Sequence, residues 1–192
     1  MTMRVLLVDE DQERSDTLKS ALSEAGYEVV AHVSACLDLA ARVRQLRPDV
    51  VIIDRDSPDR DTLEHVCMVT RDDPRPIVMF TQDREGAMIR EALKAGVSAY
   101  VVDGLSAERI RPILDVAVAR FEQSQSLKQE LEEARASLAE RKVIERAKGI
   151  VMRQRACSEE EAYRLLRKAA MDGNKRLAEV AEQLIAMSRL LT

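Results

Sequence analysis

From residue 4 to residue 102 the chain alternates short apolar runs with longer stretches whose apolar positions recur every three or four residues. The runs RVLLV at 4–8, VVII at 50–53, IVMF at 77–80 and AYVV at 99–102 read as strands buried on both faces, and 27–33 reads as a further strand. Between them Leu18, Ala21 and Leu22 mark a helix ending near Gly26. Leu37, Ala40, Ala41 and 43–46 mark a second, stopped by Pro48. Leu63 to Val69 forms a third, and Ala87 to Ala95 a fourth, capped by Gly96. A last helix starts near Ser106. Five strand–helix units in a row predict an α/β domain with a doubly wound, five-stranded parallel sheet and right-handed crossovers. Ligands of such sheets sit at the C-terminal strand ends, near the point where the strand order reverses.

Beyond Pro112 no proline interrupts the chain up to Ala156, and Gly149 is the one glycine, so the pattern predicts a single long helix. Ile113, Val116, Ala117 and Phe121 carry it out of the sheet domain. Leu127, Leu131, Ala134 and Leu138 then follow at alternating steps of four and three, the spacing of a coiled-coil seam. Two arrangements fit this stripe: a parallel homodimer, which buries the leucines, or a linker helix packed on its own domain. The remaining segment predicts an all-α bundle of three helices. Val143, Ile144, Ala147, Ile150 and Val151 line the first. Ser158 and Glu161 form a capping box opening the second, lined by Ala162, Leu165, Leu166, Ala169 and Ala170. Gly173 suits a left-handed cap and Asn174 the next N-cap; Leu177, Val180, Ala181, Leu184 and Ile185 line the third. The expected domains are thus 1–114, a linker helix over 115–140, and a helical domain over 141–192.

Composition narrows the function. Aromatic residues are 3% of the 192, with no Trp, which argues against a platform of stacked bases. No apolar run is long enough to span a membrane, and the N-terminal stretch turns acidic at once, so a cytoplasmic protein is expected. Cys36, Cys67 and Cys157 are scattered and odd in number, as reduced thiols are. His32 and His65 cannot make a histidine-rich metal site, and no serine lies in a G-x-S-x-G elbow, so nothing points to an enzyme. The net charge of −4 is uneven. Residues 1–114 hold 15 Lys and Arg against 21 Asp and Glu, 115–140 hold 3 against 6, and 141–192 hold 12 against 7. A basic tail on an acidic body fits either a polyanion-binding segment or a solvated helical face.

The predicted strand ends carry Asp9-Glu10-Asp11, Asp54, Thr81 and Asp103. Converging carboxylates there suit a hard cation such as Mg²⁺, though acidic strand ends also serve as solvated loops and helix caps. The run VDED, then DVVIIDRDSP, VMFT and AYVV resembles the receiver domain of two-component response regulators. That resemblance makes Asp9 and Glu10 the metal-binding acidic pair, with Asp54 as third ligand and at the phosphoacceptor position. It puts Asp56 where a backbone carbonyl reaches the metal, and Thr81 and Tyr100 at the switch pair. Receivers normally end strand five in Lys-Pro, whereas this chain has Asp103-Gly104. An acid replaces the ammonium that would neutralise a phosphoryl group, and like charges repel more strongly where water is excluded. The expectation is a degenerate receiver (a pseudoreceiver) in which phosphorylation of Asp54 is absent or is not the main switch.

The segment with AKGI at 147–150, S-x-x-x-A-Y-x-x-L-R at 158–167 and A-M-x-x-N-x-R-L at 170–177 resembles the ANTAR domain of antiterminator regulators. The whole layout is most similar to the nitrate/nitrite assimilation antiterminators, the NasT type. It implies binding to paired hairpins in structured leader RNA and control by a nitrate/nitrite-sensing regulatory protein, with the homodimer expected from the leucine seam. Candidate RNA contacts are Arg146, Lys148, Gly149, Arg153, Arg155, Arg167, Lys168, Lys175 and Arg176. Gly149 allows either close backbone approach or tight helix packing. Tyr163 is either a stacking ring or a core residue, and a phosphorylation-controlled regulator with a DNA-binding or protein-binding output is the alternative.

Overall fold

The computed structural model describes residues 2–34, 38–102 and 107–190. Strands β1 (Arg4–Asp9), β2 (Glu28–Val33), β3 (Val50–Asp54), β4 (Ile77–Thr81) and β5 (Ala99–Val102) alternate with helices α1 (Gln12–Glu24), α2 (Leu39–Leu46), α3 (Arg60–Asp72) and α4 (Gly86–Ala95). Helices α5 (Ala107–Arg155), α6 (Glu159–Asp172) and α7 (Leu177–Leu190) follow. The sheet is parallel, in the order β2-β1-β3-β4-β5. The chain steps from β1 to β2 and then back across β1 to β3, so the winding reverses between β1 and β3. The chain divides into two compact units, Met1–Gln125 and Ser126–Thr192, with α5 contributing to each.

Strand periodicity builds two cores in the first unit. Leu6, Val8, Val51, Ile53, Ile77 and Met79 face Leu39 and Val43 of α2, Leu63, Val66 and Val69 of α3, and Ala92 and Ala95 of α4. The alternate positions Val5, Leu7, Val50, Ile52, Val78 and Phe80 face Leu18, Ala21 and Leu22 of α1 and Ile110, Leu114 and Ala117 of α5. Helices on both faces explain why β1, β3 and β4 read as unbroken apolar runs while the edge strands β2 and β5 are only half-buried. Local signals set the helix ends. Asp11 caps α1 by accepting from the Glu13 and Arg14 amides, and Asp59 caps α3 through the Thr62 amide.

In the second unit Ala147, Ile150 and Val151 of α5 pack with Ala162 and Leu166 of α6 and Ala181 and Ile185 of α7. The Ser158–Glu161 capping box forms as expected. Two expectations fail. Leu165 is 47% exposed and Ala169 is on the surface, because Ala162, Leu166 and Ala170 alone form the four-residue ridge facing the core. Gly173 is right-handed, and Asn174, at φ 48°, takes the left-handed position; it does not cap the next helix, because α7 begins only at Leu177. The turn reverses one residue later than the glycine suggests, and asparagine tolerates that conformation better than most side chains.

Gly96 ends α4 at φ 105°, and a Cβ there would lie 2.6 Å from Thr70 Cγ2. Gly26 also has positive φ, 86°, but open space around it. Gly26→Ala should cost the strain of the left-handed backbone, about 1–2 kcal/mol. Gly96→Ala should cost about 1–3 kcal/mol more, for overpacking against Thr70. Urea denaturation of both variants checks the difference; equal midpoints would mean the approach to Thr70 is not a constraint.

Candidate functional site

The register of β1 and β3 pairs Asp9 with Asp54 at their C-terminal ends, where the winding reverses. Both are buried, at 0% and 5% exposure. An open cleft of about 650 Å³ lies over them, lined by Glu10, Asp11, Arg14, Arg55, Asp56 and Ser57 among others. Two adjacent buried carboxylates repel one another and lack water, so a counter-charge is required. Arg14, in the first turn of α1, supplies it. Its Nη2 lies 3.3 Å from Asp9 Oδ1, its Nε 3.1 Å from Asp54 Oδ2, and its Nη1 donates to Asp56 Oδ1. The Nε approach to Asp54 is purely electrostatic, because that N–H has no aligned acceptor. Burial works against the Arg14 charge, but the bond to Asp56 and the charges of Asp54 and Asp9 outweigh it and hold the guanidinium above its ordinary range.

The expected Mg²⁺ ligands are otherwise engaged. Asp9 Oδ1 accepts from the Asp11 amide at 2.9 Å, and its Oδ2 from Ser15 Oγ at 3.0 Å. Glu10 is held by Arg55 Nη2, which draws it into a separate ion pair. The Asp56 carbonyl accepts from Thr81 Oγ1 at 2.9 Å and from the Gln82 amide at 3.2 Å. Among the described residues no three acids, histidines or cysteines gather as a metal site. As arranged, Asp9, Glu10 and Asp54 do not fit a divalent ion, because an arginine stands among the carboxylates that would hold it.

Thr81 is buried at the end of β4 and also accepts from the Asp83 amide, while the half-buried Tyr100 donates to the Asp83 carbonyl at 3.3 Å. The two residues expected to form a switch pair therefore meet at the β4–α4 loop. Asp103 lies outside the described residues, as does Cys36; Cys67 and Cys157 are free thiols. Sequence reasoning missed Arg14, Arg55, Ser15 and His32. Ser15 Oγ lies 2.8 Å from His32 Nε2, which also lies 3.0 Å from the Asp9 carbonyl. This is not a nucleophilic triad, since Ser15 is fully buried and the Asp9 carboxylate bonds the serine rather than the imidazole. The available signal was a helix N-cap at Asp11 three residues before an arginine, which aims that side chain back over the strand ends.

In the helical unit Arg146, Arg153, Arg155, Arg167 and Lys168 are exposed and make no ion pair among the described residues. Lys175 bonds Gln183, and Arg176 pairs with Glu140 at 3.2 Å and Glu179 at 3.1 Å while staying exposed. Lys148 is different. It is 7% exposed, with Nζ 2.7 Å from both Glu145 and Glu159, so it ties α5 to the first turn of α6. A Cβ on Gly149 would meet nothing within 4 Å, so tight helix packing does not explain that glycine. Tyr163 is 41% exposed and outside the core, one helical turn before Arg167. Leu127, Leu131 and Leu138 are 59%, 50% and 59% exposed.

The response regulator receiver domain model matches residues 5–115, and the ANTAR domain model matches 132–185. The chain is 30% identical over 179 residues to the transcriptional regulatory protein PdtaR of Mycobacterium tuberculosis, a match covering 93% of this chain and 87% of that one. The chain belongs to the ANTAR-domain response regulators. The chemotaxis protein CheY of Listeria monocytogenes is 25% identical over 116 residues, covering 60% of this chain and 98% of its own. Among solved structures, the receiver domain of a modulated diguanylate cyclase from Desulfovibrio desulfuricans superposes with a TM-score of 0.57 at 18% identity, over 65% of this chain and 99% of that one. A LuxR-family response regulator from Aurantimonas gives 0.55 at 24%, over 62% and 86%. These two likenesses show the fold of the receiver. No described helix is long and apolar enough to cross a membrane.

Burial in the receiver pocket pushes the Asp54 carboxyl up to about 6; Arg14 opposes the shift, and Asp9 and Asp56 add to it. A carboxyl raised on folding favours the folded state most below its unfolded pKa, and that stability is lost as pH rises through the folded value. Wild-type receiver should therefore lose on the order of 1–3 kcal/mol relative to Asp54→Asn between about pH 4 and pH 7. Urea titrations at both pH values check this; parallel pH profiles would show that Asp54 does not titrate upward.

Proposed function

We propose that this response regulator is a transcription antiterminator whose ANTAR unit grips paired hairpins of a nascent leader RNA. The observation that carries the reading is that Arg146, Arg153, Arg155, Arg167 and Lys168 are exposed and have no acidic partner among the described residues. Phosphates of folded RNA need such unneutralised cations. Tyr163, the unit's one aromatic residue, stands beside Arg167 with its ring partly open to solvent and can stack on an unpaired base. Open space around Gly149 leaves room for close approach of the ligand to α5. Lys175 and Arg176, just before α7, add two exposed cations, the second shared with Glu140 and Glu179. Lys148, bound by two glutamates, acts as a positioning residue that holds α6 against α5.

Two chains join along Leu127, Leu131, Ala134 and Leu138 and present two ANTAR units to two hairpins, and the linkage raises affinity beyond that of one unit. The boundaries 1–114, 115–140 and 141–192 assign control, pairing and binding to successive segments. A nitrate/nitrite-sensing protein that withholds the regulator until its ligand arrives, in service of nitrate assimilation genes, rests on the resemblance of the whole layout to the NasT type. Phosphorylation of Asp54 is not the main switch in this reading, and the support for that is the acid Asp103 in place of lysine.

A gel shift with a two-hairpin leader RNA, a scrambled RNA and a matched duplex DNA tests the proposal. Selective retardation of the leader RNA with a steep salt slope is expected, and equal retardation of all three rejects it. The double variant Arg167→Ala/Lys168→Ala should weaken RNA binding by about 10-fold or more and lower the salt slope by about two ions. Gly149→Ala should raise helix stability by up to about 1 kcal/mol and yet weaken RNA binding; unchanged affinity would remove Gly149 from the interface. Leu131→Asp should yield a monomer by light scattering with reduced affinity. Intact mass after acetyl phosphate should show no stoichiometric adduct at Asp54.

A further inference from the structure

A resident cation changes what the receiver pocket can bind. The Arg14 guanidinium contacts three carboxylates at once, two of them from β3 and the loop after it, 40 and 42 residues further along the chain. Its position is not an accident of a free side chain. The Asp11 amide donates to Asp9 Oδ1, Asp11 Oδ1 accepts from the Arg14 amide, and the first turn of α1 is thereby locked onto the end of β1. A residue at that turn leans toward the helix N-terminus, over the strand ends. Arg55 completes the arrangement by taking Glu10, with Thr62 Oγ1 and Asp59 holding the same guanidinium. Asp9, Glu10, Asp54 and Asp56 are thus each paired with an arginine from within the chain.

We propose that Arg14 is the built-in cation of the receiver pocket, standing where a divalent ion would otherwise lie, so that the wild-type chain leaves Mg²⁺ unbound. An incoming ion must expel a tethered guanidinium from Asp9, Asp54 and Asp56, and must also recover Glu10 from Arg55. Mg²⁺ demands near-octahedral oxygen ligation, and the Asp56 carbonyl, held by Thr81 and Gln82, is not free to complete it. The tether makes the competitor intramolecular, so the apparent affinity for an incoming ion falls by the factor by which the ion-paired form outweighs the open one. Removing the guanidinium while keeping the acids should therefore create a metal site where the natural chain has none. This inference concerns the receiver alone, so it stands or falls independently of RNA binding.

The test uses the full-length chain, with Mn²⁺ as the probe read by electron paramagnetic resonance. Arg14→Gln and Arg14→Ala are compared with wild type. Both variants should bind Mn²⁺ at least about 10-fold more tightly than wild type, and adding Asp54→Asn to Arg14→Gln should abolish the gain. In parallel, Mg²⁺ should raise the Tm of the variants and leave that of the wild type unchanged, because an ion that binds the folded state alone stabilises it. Wild-type binding as tight as that of the variants overturns the proposal. So does a folded Arg14→Gln chain that binds no Mn²⁺. If Arg14→Ala does not fold without metal, recovery of its folding transition on adding Mg²⁺ supports the proposal, and failure to recover with Arg14→Gln also silent overturns it.

Discussion

Two buried carboxylates on neighbouring strands, Asp9 and Asp54, set the terms for the receiver. The parallel register of β1 and β3 brings them side by side at the reversal of the winding, with little water to separate their charges. That juxtaposition is unfavourable unless a cation is supplied. In this chain the cation is covalently part of α1, and the helix that delivers Arg14 is itself capped by Asp11 and tied to Asp9. The acidic cleft, the first turn of α1 and the end of β3 therefore form one electrostatic assembly. Its residual strain appears in the raised Asp54 and in an Arg14 Nε without an aligned acceptor.

The ANTAR unit solves a different problem with the same materials. Its core is small, built mainly from alanine, valine, isoleucine and leucine, and such a core contributes limited stability. Polar devices add to it. The capping box fixes where α6 begins, and Lys148 bridges Glu145 and Glu159 across the α5–α6 junction. With α6 so placed, its buried ridge of Ala162, Leu166 and Ala170 leaves Tyr163, Arg167 and Lys168 on the outer side. Arg146, Arg153, Arg155, Arg167 and Lys168 stay exposed and make no ion pair among the described residues, and they belong to the surface proposed to meet RNA.

The fold was legible because its signals are local or periodic. Strands β1, β3 and β4 announce themselves as apolar runs, and Gly96 and Ser158 mark a stop and a start through requirements met within a few residues. The acids of the receiver pocket were legible for a related reason: the sheet's winding rule sends the residue after each strand to one edge. The left-handed turn at Asn174 rather than Gly173 was not legible, because both residues tolerate that region and the choice depends on where α7 must enter the bundle. Leu165 against Leu166 is a similar case, since both are apolar and only the packing of α6 decides which of them faces the core.

By itself the sequence determined the order of elements, the doubly wound sheet, the long uninterrupted helix, the basic tail and the acids that converge on one edge. Each of these follows from side-chain type at short separation, where periodicity and capping act. The tertiary structure alone decided which charges meet. Arg14 finds Asp54 and Asp56 from 40 and 42 positions away, and Lys148 finds Glu159 across a helix junction. The physical reason is that a charge is assigned its partner by the packing of separate elements, and no pattern along the chain encodes that distance.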